Sequence, residues 1–357
     1  MSDTKTNRKY AWAVQTDYAT QKAIAAAAYK QLIVSDANTI EYNPRIGDNA
    51  EWSHGYNTET EEWLEAHDAK VSHSMPGFAQ ELGKVFYLNM AATVTTPAGG
   101  TLSRKHTFVP TDPTVTRQDK AVSYVENIGS GWHKLMHGAV ADGFVLKGSE
   151  AGVLMCDFNL LGSGKVVNDP AITYPPTATP TVTNLTGLYK FFNTQMAITP
   201  NDGGSYNTAY GCRYRSFEIA FKKTMLGDAG YKPGCQLFLT PGNPDTGMIR
   251  SAYEFDKQTL DFNFQVDMAA SSPEFACVQD QRPISLVLTA TGGIIEGAIP
   301  YELKTTINIA KYKTTKPVEA NGIWQFAIQG KALFDTAAAK LFQIELTNNV
   351  LLYSTAF

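Results

Sequence analysis

"VLMCDFNL", residues 153–160, alternates strictly. Leu154, Cys156, Phe158 and Leu160 fall on one side of an extended chain, and Met155, Asp157 and Asn159 on the other. Just upstream, "ADGFVLKG" (141–148) has the composition of a partner strand, and "SEAG" (149–152) supplies a turn. The pair reads as a hairpin with one apolar and one polar face.

Working outward, short alternating runs dominate, punctuated by 28 glycines and 17 prolines. Such a chain is mainly β. Three helices are expected: 20–32 in the alanine run, one beginning at Ser74 and running through "GFAQELGKVFYL", and one beginning at Ser271 or Ser272. The stretch 168–188, "NDPAITYPPTATPTVTNLTGL", reads as a stiff extended connector.

The two later helix starts carry similar strings, "SMPGFA" (74–79) and "SSPEFA" (271–276). Further pairs follow in the same order: Tyr42-Asn43-Pro44 with Tyr231-Lys232-Pro233, Asn57-Thr58-Glu59-Thr60 with Asn243-Pro244-Asp245-Thr246, and Glu150-Ala151-Gly152 with Glu319-Ala320-Asn321-Gly322. The last pair precedes "VLMCDFNLLGSGK" in one case and "IWQFAIQGK" in the other, where Trp324, Phe326 and Ile328 match Leu154, Cys156 and Phe158. The chain therefore reads as a tandem duplication: a first domain over 1–167, the connector over 168–188 and a second domain over 189–357.

Hydrophobic residues make up 43% of the 357-residue chain, enough to bury a large core. Charged residues make up 18%, below the roughly 25% of an average domain, which suggests a surface covered by partners. A net charge of −4 without a Lys/Arg-rich block argues against a nucleic-acid-binding surface. No signal peptide and no membrane-length apolar run is visible, and the four scattered cysteines read as reduced thiols. These features imply synthesis in the cytoplasm.

The hairpin "GAVADGFVLKGSEAGVLMCDFNLLGSGK" (138–165) resembles the signature hairpin of tailed-phage tail tube proteins, also called major tail proteins. "RSFEIAFKKTMLGDAGYKPG" (215–234) resembles the later strand and long loop of that family, and "QTDYAT" (15–20) also fits. The likeness runs over roughly residues 10–350. It implies two tandem β-sandwich or barrel domains, each with a flanking α-helix, whose hairpins merge between subunits into a continuous inner β-barrel. It implies a structural virion protein of siphophage type, with no catalytic site, cofactor or metal. It also implies stacked rings that form a conduit for DNA, which passes without specific binding, and assembly in the host cytoplasm. Tape-measure, tail terminator and baseplate or distal tail proteins are the implied partners, with no membrane.

On this reading Asp142, Asp157, Asn159, Gln325 and Gln329 face the channel, while Trp324 packs inward with Phe326 and Ile328. The segments 40–62 and 222–248, rich in Gly, Pro and Asn, are expected to lack regular structure and to reach the adjacent ring, with Tyr42, Pro44, Asn57, Tyr231, Pro233 and Asn243 as candidate contacts. Two domains per chain imply trimeric rings with pseudo-six-fold symmetry, diverging most at 92–130.

Enzymatic alternatives lack support. "GSGKV" (162–166) has Val where a phosphate loop needs Ser or Thr. His133 and His137 have zinc-like spacing but no third ligand nearby, and the acids of "ETEEWLEAHD" (59–68) read as a solvated or lumen-facing cluster. The other readings are a virion fibre or decoration protein that binds a receptor or carbohydrate, and a carbohydrate-active jelly roll. The first leaves no room for a receptor domain after "FQIELTNNVLLYS" (342–354), and the second would need clustered aromatics where the five tryptophans are dispersed.

Overall fold

The computed structural model describes residues 8–15, 29–36, 38–48, 62–111, 120–127, 133–168, 185–200, 208–209, 214–226, 231, 237–240, 243–251, 253–268, 274–320 and 322–354. Among them strand predominates, with two α-helices. The elements of the first half are β1 (Lys9–Val14), β2 (Lys30–Leu32), β3 (Glu41–Asp48), β4 (Glu62–Pro76), α1 (Ala79–Asn89), β5 (Ala91–Thr95), β6 (Arg104–Val109), β7 (Val122–Asn127), β8 (His133–Ser149), β9 (Met155–Gly162) and β10 (Val166–Asn168). Those of the second half are β11 (Thr194–Pro200), β12 (Thr208–Ala209), β13 (Tyr214–Met225), β14 (Leu237–Thr240), β15 (Asn243–Ile249), β16 (Phe255–Asp267), α2 (Glu274–Gln279), β17 (Ile284–Glu296), β18 (Ile299–Ala320), β19 (Ile323–Ala332) and β20 (Gln343–Asn348).

The same strand order occurs twice. In the first half β3, β4, β9 and β8 pair side by side, and in the second β13, β16, β19 and β18 do, all antiparallel. A second layer repeats too: β2-β1-β7-β8-β10, then β12-β11-β17-β18-β20. The irregularities recur with the strands. A bulge on β4, at Glu65, falls opposite Arg45 and Ile46 of β3, and one on β16, at Asp256, falls opposite Thr224 and Met225 of β13. Others fall between Val122 and Tyr124 opposite β8, and between Ile284 and Leu286 opposite β18. A bulge is a specific geometric feature, so its return at matching ladder positions fixes which residues of the two halves correspond: Glu41 with Ala220, Lys70 with Asp261, Asp157 with Ala327 and Val145 with Lys316. This alignment corrects two string matches, since Tyr42 corresponds to Phe221, not Tyr231, and Glu150 is two residues out of step with Glu319.

The halves are joined along β8 and β13, which pair from Ser149↔Ser216 to Gly143↔Lys222. The result is one eight-stranded antiparallel sheet, β3-β4-β9-β8-β13-β16-β19-β18. Each half also carries an insertion that grips the other. The β5–β6 hairpin, inside the stretch expected to diverge, pairs with β20 of the second half. The β14–β15 hairpin meets β4 of the first half through Met248↔Ala66. One apolar core runs through both halves, from Trp12 and Phe86 to Phe262 and Ile344.

The helix expectations need correction. Lys30–Leu32 is strand, and 16–28 lies outside the described residues. The helix expected from Ser74 starts at Ala79. Ser74 is still in β4, where its hydroxyl donates to Asp157 at 2.6 Å, and Gly77 N donates to Leu154 O, keeping the chain extended until Phe78. In the second half α2 forms at Glu274–Gln279, with 271–273 outside the described residues. Of the connector, 169–184 also lies outside them.

Candidate assembly surface

The β8–β9 hairpin matches its sequence pattern. Leu154, Cys156, Phe158 and Leu160 are buried, and Asn159 is exposed. The other face of the eight-stranded sheet is polar. Asp157 is ion-paired to Lys147 across β8–β9 and also accepts from Ser74. Asn159 donates to Asp142 at 3.3 Å, and burial raises the Asp142 carboxyl above its usual value against that hydrogen bond and the charge of Lys223. In the second half Asp261 pairs with Lys313 at 2.6 Å, and Gln329 is exposed beside Thr314. The hairpin tip departs from expectation. Trp324 is 58% exposed and Gln325 is 5% exposed, the reverse of what alternation gave. The reason is cover, not direction: at the matching tip Leu154 N donates to Tyr189 O, which lays residues 188–191 over the hairpin, and among the described residues no segment bonds to Trp324 in the same way.

Among the described residues the sheet has two open edges. On one side is β3, whose burial pattern is exposed nearly throughout. On the other is the second part of β18, whose ladder on one side runs with β19 from Ala310 to Ala320. Its residues 313–320 are exposed or half-buried. Pro44 lies on one edge strand and Pro317 on the other, and proline is tolerated where an N–H would face outward.

The segments expected to be irregular contain β3 and the strands β14 and β15. Tyr42 stacks on His67 with ring centroids 5.3 Å apart, and its hydroxyl bonds to His67 Nδ1. Pro44 lies opposite His67 on β4. Tyr231 donates to His67 O at 2.8 Å and to Asp68 at 3.1 Å, with the Arg250 guanidinium 4.5 Å over its ring. Arg45 and Arg250 both pair with Asp68, at 2.6 and 3.1 Å. Burial pushes the Asp68 carboxyl up, but the Arg45 hydrogen bond and the two guanidinium charges outweigh it and hold it below the usual value. This cluster ties the loop after β13 to β4; no pattern in the sequence announced it. Asn243 opens β15, and Asn57 and Pro233 lie outside the described residues.

Nothing among the described residues resembles a catalytic centre. His133 and His137 lie on a strand, not a helix, and His137 is 6% exposed with its imidazole lowered to about 4 by burial and the charge of Lys165. Among the described residues no three His, Cys, Asp or Glu side chains gather as a metal site, and no helix is long and apolar enough to cross a membrane.

Comparison with known proteins gives one family match: the profile described as phage tail tube protein fits residues 70–293. No curated protein matches. Among the solved structures that match is the Hcp1 protein from E. coli EAEC 042 pathovar, in a mutant form. It is 12% identical, over 44% of this chain and 97% of that one, with a TM-score of 0.22.

Proposed function

The chain belongs to the phage tail tube protein family, and from that premise we propose that three copies close each ring of the tube with pseudo-six-fold symmetry. A tail tube protein is a structural, non-enzymatic component of the virion tail, and proteins of this kind self-assemble as stacked rings. The observation that carries the trimer is the β8–β13 seam. It is a join between two equivalent four-stranded units made within one chain, and it leaves the same two edges, β18 and β3, open at the ends.

Repeating that join between chains puts β18 of one subunit against β3 of the next. Val145 faces Ala220 in the internal seam. The corresponding pair between chains is Lys316 and Glu41, a lysine opposite a glutamate. Three chains supply 24 strands. At about 4.8 Å between strands and a tilt of about 40°, the barrel is about 48 Å across at the backbone, with a bore of roughly 35–40 Å. That admits a DNA duplex, and the balanced pair Asp157–Lys147 with the neutral amides Asn159 and Gln329 on the polar face suits passage without adhesion. In this reading the tube conducts the genome into the host. The tape-measure, terminator and baseplate proteins meet the tube at its lumen and ends.

The test is electron microscopy of the purified protein. Tubes whose reconstruction holds three chains per ring, with β18 against β3, are expected; six whole chains per ring would overturn the trimer.

A further inference from the structure

The direction of the backbone groups along β3 follows from its neighbour β4. Ser74 O accepts from Ser35 N at 2.8 Å, Ser74 N donates to Asp36 at 3.0 Å, and Ser72 O accepts from Asn38 Nδ2 at 2.8 Å. Ser72 and Ser74 thus turn their backbone groups away from β9 and towards the chain that leads into β3. These groups alternate along a strand. Lys70 and Asp68 therefore turn the same way, and Glu41 and Asn43, which stand opposite them, turn to β4. Ile40, Tyr42 and Pro44 turn outward, to the open edge.

At Ile40 that edge is already occupied. Its N–H donates to Glu126 at 2.9 Å, and its carbonyl accepts from Lys134 Nζ at 3.3 Å. The two side chains come from facing positions on β7 and β8 and lie 3.6 Å apart, with the Glu126 side chain closed off from solvent. In the second half the corresponding positions are Leu288 and Thr305, which also face each other and are buried. There the residue corresponding to Ile40 is Ile219, an ordinary ladder residue opposite Leu146 on one side and Phe262 on the other. A buried ion pair has thus replaced a leucine and a threonine in the half whose edge is open.

The opposing edge is altered at the same rung. Leu146, opposite Ile219 in the internal seam, corresponds to Pro317. Proline has no N–H to give. One edge lacks the donor at the rung where the other has bonded both of its groups inside the subunit.

We infer that Glu126 and Lys134 are positioning residues that end the ladder between chains at the Ile40–Pro317 rung, so that a second copy of this chain adds to β3 from Tyr42 onward. This rests on the ring reading above, in which the β18 edge of the neighbouring copy meets β3. Tyr42–Thr315 is then the first rung whose backbone groups bond to each other. Glu41 and Lys316 form the closer, non-bonded kind of pair, with their side chains near one another. The unassembled subunit keeps Ile40 closed to stray strands. A strand that brings an N–H to this rung meets a carbonyl already taken, so the edge favours the strand with proline there. Burying two charges costs more than the apolar alternative, and the second half folds without them.

The test is residue-resolved hydrogen exchange of the wild-type chain, unassembled and in tubes. In the unassembled chain the Ile40 amide should exchange at least about tenfold more slowly than that of Tyr42. On assembly Tyr42 should slow at least about tenfold and Ile40 by less than about threefold. Fast exchange at Ile40 before assembly, or a slowing there as large as at Tyr42, overturns the inference. Tyr42 exchange unchanged in tubes overturns the ring reading instead, and this inference with it. A second measurement asks for coupling across the seam. Pro317→Val should leave the critical concentration for tube formation within about twofold in the wild-type background. In a Glu126→Leu, Lys134→Thr background, where Ile40 is released, it should lower that concentration at least about tenfold. The same response in both backgrounds overturns the inference, and the exchange measurement decides it if the released background does not fold.

Discussion

Glu81 and Lys84, one turn apart on α1, form an ion pair at 2.9 Å with both side chains closed off from solvent. The helix that carries them belongs to the first half, yet it packs against β18 and β20 of the second as well as β8. A buried pair is costly to split. Glu81→Leu leaves a lysine charge without its partner and should lower stability by about 3–5 kcal/mol, while Glu81→Leu with Lys84→Met should recover most of the loss. Urea unfolding of the unassembled chain measures both.

Gly83, between them, is where that helix meets Tyr353. A Cβ there would collide with the Tyr353 ring, and the tyrosine hydroxyl donates to Ala79 O and Gln80 O at 3.3 and 3.2 Å. Gly83→Ala gains about 1 kcal/mol of helix propensity but forces the ring off its anchor. A lower melting temperature is expected; a higher one would show that the ring moves freely.

Acid should weaken the fold through His137. Its imidazole titrates near 4 in the folded chain and near the ordinary 6.5 when unfolded. The unfolded state thus binds the extra proton first, and stability falls as pH drops from about 6.5 to about 4, by up to about 3 kcal/mol. Glu126 opposes this, since burial raises its carboxyl and it favours the folded state at low pH. His137→Asn should flatten the pH 4–6.5 dependence of the urea midpoint.

The proposed register between chains predicts a charge swap. Glu41→Lys or Lys316→Glu alone places like charges opposite each other and should slow tube formation, whereas the double substitution should restore it. Glu41 also pairs with Lys70 at 3.0 Å, so the swap is read by turbidity or sedimentation against a Lys70→Gln background as well. Absence of rescue in both backgrounds would mean a different register.

To test the proposed channel face, Asn159 is the position to change. Asp157 is committed to Lys147 and Ser74, so its replacement disturbs the hairpin itself. Asn159→Lys should leave tubes intact and slow genome ejection, measured as DNA release from assembled phage.

The β class and the central hairpin were legible because burial on one face imposes a period of two, and 153–160 keeps it without interruption. The helix start was not. Ser74 and Pro76 look like a cap and a first turn, but Gly77 is held to Leu154, a contact distant in sequence. Trp324 was misplaced because alternation fixes side-chain direction but not cover: Leu154 lies under residues 188–191, a contact distant in sequence, and among the described residues no segment bonds to Trp324 in that way. The short string matches pointed to repetition but mis-set the alignment, because bulges and turn lengths, not identities, determine which residues stand opposite one another. The Arg45–Asp68–Arg250 cluster joins three segments far apart in the chain, so no local pattern encodes it.

The clasp of β20 onto β6 has a consequence for the nascent chain. Ile344 faces Phe108 and Asn348 faces Arg104, contacts that span more than 230 residues. The ribosome therefore releases β5–β6 long before its partner strand exists, and β8 waits likewise for β13. A half-made chain holds open edges that only its own later sequence is shaped to close, and pairings this distant form slowly. Translation order makes the chain through β20, not its first half, the earliest unit in which both β6 and β8 have met their partner strands.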